Sequence, residues 1–448
     1  MVFKINGSDV MSKFDTTYAN ENIDNVTGFK VNGADIGKSA TPGVAGYTTD
    51  DPDTNDAFKT SNVSFNQLFS TSKPLVVLSD IQSTTKSTVD DYIFREVIAT
   101  SSTYVAWRDM IRFTIPNIKG IQIPLRILLV GGGGGGGSSG RHNTPNCQSG
   151  AGGGGAGTFL ELTMTLNETH DQYYFSGHCG QNGAGGGNGY NDNRGDSGNA
   201  GGNTHFQLRN PSEAAVNEYQ AEGGGGGAGN KDSGHANPAN KANGGSGGGA
   251  CGHEGTRSGA TAGSDDNGGA YHESIYISGE HPTTTVDAAR VNNGGSATRY
   301  EGGGGGGGAG GAGSNGGTVG GFWFRDGKLV DRSEGFGGAN GGNGYDWING
   351  GRYAAGGGGD HRCEQQVGND IHRYGHPGGG DRTAGAGCRV GNTDYRNAVE
   401  GTGSGGMGAF DGWNNGNHGG HGGKGMISIG IPRIFTDANH HTFTPAYL

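Results

Sequence analysis

The chain has little material for a conventional hydrophobic core. Hydrophobic residues make up 30 % of its 448 residues and charged residues 16 %, both below ordinary globular usage. Its longest apolar stretches, around Pro74–Leu78 and Leu125–Val130, are far shorter than the roughly 20 residues of a membrane-spanning helix. We therefore expect a modest β-rich core and no insertion into a membrane.

Cysteine is also scarce. The five cysteines form an odd number without a CxxC pair, so their spacing predicts no disulfide framework. His178–Cys179, Cys251/His253 and His361/Cys363 look like half-sites for zinc, but two of them would have to converge on one tetrahedral ion. We expect ordinary thiols, with neither a metal nor a cofactor.

Signals for export and for binding polyanions are missing as well. The first ten residues, MVFKINGSDV, have neither the basic region nor the apolar region of a secretory leader. The formal net charge of −11 opposes binding to nucleic acid or to an anionic membrane surface. The sequence therefore predicts a chain that does not use the ordinary export route and has no nucleic-acid partner.

No catalytic motif stands out. The glycine runs lack the Lys-Ser/Thr and following helix of a phosphate loop, and no βαβ unit accompanies them. Asp265, Asp266, Glu273 and Glu280 are close in sequence, but they lie in a loop-like insertion rather than on a firm scaffold. We expect no catalytic residues and no enzyme activity, with a glycan depolymerase as the enzymatic alternative.

Glycine is what the chain has in abundance. It accounts for 101 residues, many of them in runs such as Gly131–Gly137 and Gly302–Gly308. Glycine loses the most backbone entropy on ordering, so an ordered arrangement requires many main-chain hydrogen bonds. Collagen is excluded because there is no sustained Gly-X-Y period and there are only 12 prolines. Interruption of the runs by strand-like segments also disfavours a flexible linker.

The remaining arrangement is a set of extended glycine helices packed side by side. Such a helix has three residues per turn, and its N–H and C=O groups point outward. Because no side chains intervene, neighbouring helices can bond to one another in every direction. A run of seven glycines would span about 22 Å at the rise of such a helix.

The N-terminal third carries β-strand patterns. Phe3–Val10 is echoed by Phe29–Ile36, and both copies contain the Asn-Gly dipeptide of a tight hairpin turn. They are either two hairpins of a small domain or a pair of docking elements. A short helix near Phe94–Ala99 is an alternative to a strand there. Apolar and aromatic residues predict further strands at Leu75–Leu78, Tyr92–Ile98, Tyr104–Trp107, Ile111–Ile115 and Ile121–Val130.

Two kinds of segment interrupt the glycine region. One kind is apolar and alternating, as in Thr158–Leu166, Tyr173–Phe175, Thr204–Leu208 and Met426–Ile431. The other is polar and aromatic, as in Asn191–Asn199, Asp265–Tyr300, Arg325–Glu334, Tyr345–Tyr353 and His361–His376. The first kind predicts strands, and the second predicts loops that extend from the glycine region.

This pattern resembles the glycine-rich tip domains of phage tail-fibre adhesins and related virion proteins. The resemblance rests on Ile127–Val130 followed by Gly131–Gly137, on Gly152–Thr158 leading into a strand, and on Gly422–Gly425 followed by Met426–Ile429. Gly183–Gly187, Gly201–Phe206 and Ala221–Gly227 continue the series. It implies polyglycine-II packing, with loops at one end that contact a host receptor.

The expected fold is therefore mainly β and irregular: an N-terminal β domain followed by a polyglycine-II helix sandwich with inserted loops. We expect a docking segment at 1–50, a β-rich attachment domain at 51–130, the glycine domain at 131–425, and a closing strand and tail at 426–448. The resemblance implies a virion-surface fibre or adhesin that is assembled in the host cytoplasm. Its partners would be other virion proteins, through residues 1–130, and a host glycan or protein; a homotrimer is compatible with this role.

The alternative is a purely structural role, as a minor capsid or fibre-shaft protein. Aromatic side chains among Asn, Asp, Arg and His favour receptor binding, because rings stack on sugars and polar groups bond hydroxyls. The same rings could instead seal the glycine slab. The integrin-type tripeptide Arg194-Gly195-Asp196 is expected by chance in so glycine-rich a chain, with a receptor role as the alternative. The candidate receptor-binding residues are Tyr190, Tyr271, Tyr276, Tyr300, Trp347, Tyr353, Tyr374, Tyr395 and Trp413.

Overall fold

The fold is built mainly of strands. The computed structural model describes residues 4–5, 8–9, 29–31, 34–36, 76–78, 84–89, 91–98, 105–106, 111–113, 115, 122–138, 150–189, 194–229, 244–251, 271–275, 281–297, 302–316, 322–325, 328–331, 339–360, 362–367, 370–375, 396–409 and 418–435. In these ranges the helical elements are two short 3-10 turns, Glu168–His170 and Arg433–Phe435. No helix in them is long and apolar enough to cross a membrane. The prediction of a mainly β, irregular fold is confirmed.

The strands are, in chain order, β1 (Lys4–Ile5), β2 (Ser8–Asp9), β3 (Phe29–Val31), β4 (Ala34–Ile36), β5 (Val76–Leu78), β6 (Thr84–Val89), β7 (Tyr92–Val97), β8 (Val105–Ala106), β9 (Ile111–Phe113), β10 (Gln122–Val130), β11 (Phe159–Asn167), β12 (Tyr174–His178), β13 (Asn188–Gly189), β14 (Arg194–Gly195), β15 (Thr204–Arg209), β16 (Ala215–Ala221), β17 (Tyr271–Ile275), β18 (Thr283–Arg290), β19 (Phe322–Arg325), β20 (Lys328–Asp331), β21 (Tyr345–Asp346), β22 (Arg352–Tyr353), β23 (Arg362–Val367), β24 (Asp370–Gly375) and β25 (Met426–Pro432).

Two larger sheets form a sandwich. One has the order β18-β11-β10-β25-β7-β6, the other the order β17-β16-β15-β12-β8, and the pairs within both are antiparallel. Alternate residues of β10, such as Ile127 and Leu129, join Phe175 and Phe206 of the other sheet in one buried cluster. The six-stranded sheet combines strands from residues 51–130, 131–425 and 426–448, so its core depends on all three segments.

Most strands that the sequence predicts are present. The helix considered near Phe94–Ala99 is wrong, because Phe94–Val97 belong to β7, which lies between β6 and β25. The two N-terminal repeats form hairpins with equivalent registers, in which Lys4 pairs with Asp9 and Lys30 with Asp35. The Asn-Gly dipeptides between the paired strands lie outside the described residues, so the turn type stays a prediction.

Strands of the sandwich run directly into glycine tracts. Val130 pairs with Phe159 at the end of the β10–β11 ladder, and the next main-chain bond runs from Gly131 N to Thr158 O, at 3.1 Å. Gly425 leads in the same way into β25. Strand β10 therefore continues into the glycine tract without a break in its main-chain bonding.

The tract 131–138 bonds to its surroundings with a step of three residues. Its N–H groups donate to three antiparallel tracts at N–O distances of 2.8–3.1 Å. Gly131, Gly134 and Gly137 donate to Thr158, Gly155 and Gly152 of the first tract, and Gly132, Gly135 and Ser138 donate to Gly202, Asn199 and Asp196 of the second. Gly133 and Gly136 donate to Gly423 and Gly420 of the third. Successive residues therefore point in three directions, as in a helix with three residues per turn.

The carbonyl groups of the same tract accept from three further tracts, which run parallel to it. Gly224 and Gly227 donate to Gly132 and Gly135, Gly183 and Gly186 to Gly133 and Gly136, and Gly406 and Ala409 to Gly134 and Gly137. Tracts 150–158 and 302–308 are also bonded to tracts on all sides. We call this bonded set the glycine lattice; it comprises residues 131–138, 150–158, 180–187, 195–202, 222–229, 244–251, 292–297, 302–309, 313–316, 339–344, 354–360, 402–409 and 418–425.

The close spacing of the tracts explains why their centres are glycine. A methyl group on Gly134 would overlap the carbonyl oxygen of Gly225, which is main chain and cannot move aside. At Gly187, by contrast, the nearest atom to such a methyl group is Asp196 Oδ2, 3.5 Å away. Glycine is therefore required inside the lattice and optional at parts of its edge.

Candidate functional site

The two ends of the glycine lattice differ. We call the end that continues into the sheets the proximal end; Gly131, Thr158 and Gly425 lie there. The opposite end is the distal end. Ser138, seven residues after Gly131 in tract 131–138, lies there. Ser138 bonds to Asp196 at 2.9 Å, and Gly137 accepts from Ala409 at 2.8 Å, which places both partners at the distal end.

The remaining tracts extend this end across the lattice. Asp360 donates to Ala151 at 2.9 Å and accepts from Gly303 at 2.8 Å, so both lie far from the sheets. Gly316 donates to Ser296 at 2.7 Å, so tracts 313–316 and 292–297 end side by side. The chain therefore leaves and re-enters the lattice at the distal end around segments 139–149, 190–193, 298–301, 317–338, 361–395 and 410–417.

Five of the predicted receptor-binding aromatics belong to these segments. Tyr374 is in β24, while the other four lie outside the described residues; the five are Tyr190, Tyr300, Tyr374, Tyr395 and Trp413. Tyr276 is also outside the described residues. Tyr271 opens β17, where it pairs with Ala221 of the five-stranded sheet. The described flanks of these segments lie at the distal end, and the receptor-binding role of the five aromatics stays a prediction.

Trp347 and Tyr353 are placed differently. They belong to the β21–β22 hairpin and are only 5 % and 6 % exposed. The Trp347 ring meets the ring of Phe94 edge-on at 5.2 Å, and its Nε1 donates to Glu161 at 3.2 Å. Their burial favours the sealing role at these two positions, over the outer face of the six-stranded sheet.

The hairpin is fixed to that sheet by polar contacts as well. Asn349 Nδ2 donates to Glu96 at 2.5 Å, and the Tyr353 hydroxyl lies 3.3 Å from the same carboxylate. Burial and the negative charge of Glu96 raise the pKa of Tyr353 above its ordinary value. The Tyr353 hydroxyl therefore keeps its proton across the neutral pH range.

Beside the hairpin, an ionic cluster lies on three adjacent strands. Arg126 pairs with Glu161, and its Nη2 is 3.9 Å from Asp287 Oδ2. The same Asp287 oxygen accepts from the Thr163 hydroxyl at 2.6 Å. The cluster joins one arginine to two carboxylates from neighbouring strands, so it fits a role in holding β10, β11 and β18 together.

A polar ladder crosses the outer face of the five-stranded sheet, and sequence patterns did not predict it. Gln207 donates to Glu218 at 2.7 Å, and Arg209 Nε donates to Ser176 at 2.9 Å. His205 Nδ1 is 2.7 Å from Glu218 Oε1. Alternation in the segments HFQLR and NEYQA predicts strands, but only the register of β12, β15 and β16 shows which polar residues become neighbours.

Two histidines meet at one end of this ladder. The rings of His178 and His205 stack with their centroids 4.5 Å apart. Burial, with the neighbouring His205 as a second cause, lowers the pKa of His178, and Glu218 opposes the shift. His178 is therefore held in its neutral form at pH values where an exposed histidine would begin to bind a proton.

Chemical sites are sparse in the described ranges. No group of three His, Cys, Asp or Glu side chains in these ranges is positioned to hold a metal ion. Cys179 is buried, with its thiol donating to Val97 O at 3.0 Å, and Cys251 is buried as well. Gly195 of the Arg-Gly-Asp tripeptide is buried against Ser138, which is not the geometry of an exposed loop tip.

No protein-family model matches the chain, and no curated protein matches it significantly.

Proposed function

We propose that the chain is a virion fibre or adhesin protein that binds a host surface through segments at the distal end of a polyglycine-II slab. The three-residue step of the bonds and the bonding of tracts on all sides support polyglycine-II packing. Arranged by these bonds, the tracts form three rows, with 131–138, 150–158 and 302–309 in the middle row. Such a slab is stiff because each central tract is held from every side.

The observation that carries the proposal is the common position of the connecting segments. Six segments, five of which contain aromatic residues, leave the lattice at the end that is farthest from the sheets. Binding residues are commonly placed on loops that a rigid scaffold positions. The sheets at the proximal end, together with the N-terminal hairpins, are left for attachment to other virion proteins.

The ligand is a surface glycan or a surface protein. Aromatic rings with neighbouring amides and carboxylates suit both, since rings stack on sugar C–H surfaces and also serve as anchors in protein interfaces. The chain acts by attachment rather than by catalysis. Its role is to hold the particle at a cell surface while the lattice keeps the segments in a fixed arrangement.

The test uses the labelled full-length chain, intact bacterial cells and an array of purified bacterial surface polysaccharides. The double variant Tyr300→Ala/Trp413→Ala removes two distal aromatics, and Ile348→Ala removes an exposed proximal side chain as the matched control. We expect the double variant to lose about tenfold or more in affinity for any surface that the chain binds. Ile348→Ala should bind like the parent chain.

Equal binding by the double variant and the control would overturn the proposal that the distal segments bind the cell surface. A chain that binds no cell and no polysaccharide, but sediments as a regular assembly, would favour the structural role instead. Shortening of the polysaccharides during the same incubation would favour a depolymerase.

A further inference from the structure

Asn-Gly pairs occur at several points of the glycine lattice, and they differ in how the glycine N–H is bonded. In Asn182-Gly183 and Asn315-Gly316 the glycine N–H donates to a neighbouring tract, to Gly133 O at 2.8 Å and to Ser296 O at 2.7 Å. In Asn293-Gly294 and Asn340-Gly341 the glycine N–H makes no hydrogen bond within the described part of the chain. This difference has a chemical consequence.

The nitrogen of a glycine that follows asparagine is the nucleophile of spontaneous deamidation. It attacks the asparagine Cγ, its proton is lost, and the side-chain nitrogen leaves as ammonia, which closes a succinimide ring. Water then opens the ring and gives either aspartate or isoaspartate. Glycine permits the attack because it has no side chain to obstruct the ring. A nitrogen whose N–H is held in a lattice bond must first break that bond, so its attack is slower.

We propose that Asn293 and Asn340 are sites of spontaneous covalent modification, and that the lattice protects Asn182 and Asn315. The four positions form two matched pairs. Asn293 and Asn315 are both exposed, and Asn340 and Asn182 are both half-buried, so access of water does not distinguish the members of a pair. The bond of the following N–H does distinguish them.

The two reactive positions flank the same short tract. Gly313 donates to Asn293 O at 3.0 Å, and Ser314 donates to Asn340 O at 2.8 Å. Isoaspartate adds a carbon atom to the main chain, which displaces every later residue of its tract from the three-residue step. Modification at either position therefore weakens the hold on tract 313–316, from which segment 317–338 departs.

The new carboxylate adds a second effect. Both sites lie beside tract 313–316, which carries no charged side chain. Conversion of both amides therefore adds two negative charges next to this tract. The modification is independent of whether the distal segments bind a receptor, since it requires only the main chain, the asparagine side chain and water.

The experiment incubates the folded full-length chain at mildly alkaline pH and follows each Asn-Gly pair by peptide mapping with mass spectrometry. We expect Asn293 and Asn340 to convert about fivefold to tenfold faster than Asn315 and Asn182 respectively. The urea-unfolded chain is the reference, and in it the four sites should convert at similar rates because their local sequences share Asn-Gly. Asn182 or Asn315 converting as fast as its partner in the folded chain would overturn the proposal.

Variants give an independent readout. Asn293→Gln and Asn340→Gln should each remove one acidic species that accumulates on ion exchange, since glutamine cyclises far more slowly than asparagine. The matched controls Asn182→Gln and Asn315→Gln should leave the pattern of acidic species unchanged. Hydrogen exchange on the aged chain should show lost protection at the Gly313 and Ser314 amides; unchanged protection there would exclude the predicted effect on tract 313–316.

Discussion

The sandwich and the glycine lattice are continuous along the chain, yet they are held together by different means. Between the sheets, Leu129, Phe175 and Phe206 are completely buried and exclude water with their side chains. Directly after the end of β10, Gly131–Gly137 are just as buried, but they bring no side chain at all. The first region relies on apolar burial, and the second relies on main-chain hydrogen bonds in three directions.

This difference reverses the effect of side-chain size. In the sandwich, removing atoms leaves a cavity and loses contacts between the sheets. In the lattice, adding one carbon atom forces two main chains apart. The effect of side-chain size on stability therefore changes sign where strand β10 ends at Val130 and the glycine tract begins at Gly131.

The largest expected effect is a deletion in the sandwich. Phe206 packs on Phe175 with ring centroids 4.9 Å apart and is fully buried. We expect Phe206→Ala to lower the free energy of unfolding by about 3–5 kcal/mol, as measured by urea denaturation. Phe206→Leu is the matched control and should retain most of that stability. If Phe206→Ala lost less free energy of unfolding than Phe206→Leu, the packing of the sheets would not depend on this contact.

An addition in the lattice should come next. Gly134→Ala places a methyl group on the carbonyl oxygen of Gly225, and we expect a loss of about 2–3 kcal/mol in the same measurement. Gly187→Ala is the control, because its methyl group meets no atom closer than 3.5 Å, and it should stay within about 0.5 kcal/mol of the parent. Similar stability of the two variants would contradict the close packing of the tracts.

Thr204 tests the boundary between the two regions. Its hydroxyl accepts from Gly180 N at 2.9 Å and donates to Val130 O at 2.6 Å, where a strand becomes a tract. Thr204→Val should cost about 1–3 kcal/mol, since two buried main-chain groups lose their partner. Hydrogen exchange at Gly180 should accelerate in Thr204→Val and remain slow in Thr204→Ser. Equal exchange rates in both variants would show that the Thr204 hydroxyl does not protect the Gly180 amide.

The smallest expected effect concerns pH, and it belongs to the sandwich alone. The folded state lowers the pKa of His178, so the unfolded chain binds its proton first as the pH falls. The contribution of neutral His178 to stability is complete above its ordinary pKa of 6.5 and is lost as the pH drops through the lower, folded value. The melting temperature of His178→Gln should therefore depend less on pH over this range, whereas Asn199→Gln, in the lattice, should follow the parent chain.

The sequence allowed the two regions to be recognised for different reasons. Alternating apolar residues predict β10, β11 and β25, because a strand with one buried face must repeat every second residue. Clustered glycine predicts main-chain bonding between tracts. The pairing of tracts was not predictable, since one glycine specifies no partner over another; nothing in the sequence indicates that Gly135 bonds to Asn199.

The candidate site shows the same limit. The polar segments between tracts were visible as insertions, but their common departure from the distal end follows only from the direction of each tract. Trp347 and Tyr353 resemble the other loop aromatics in sequence, and only the contacts with Phe94 and Glu96 reveal that they are buried. The ladder of Ser176, Gln207 and Glu218 depends on strand register, which a single sequence does not supply.

A lattice closed by amide bonds also has a thermal consequence. Exposure of apolar surface on unfolding raises the heat capacity, whereas exposure of peptide groups lowers it. Melting of tracts such as 131–138 releases almost nothing but peptide groups, so this half of the molecule should contribute little curvature to the dependence of stability on temperature. The lattice should therefore keep its structure in the cold, where proteins that depend on apolar interiors lose stability.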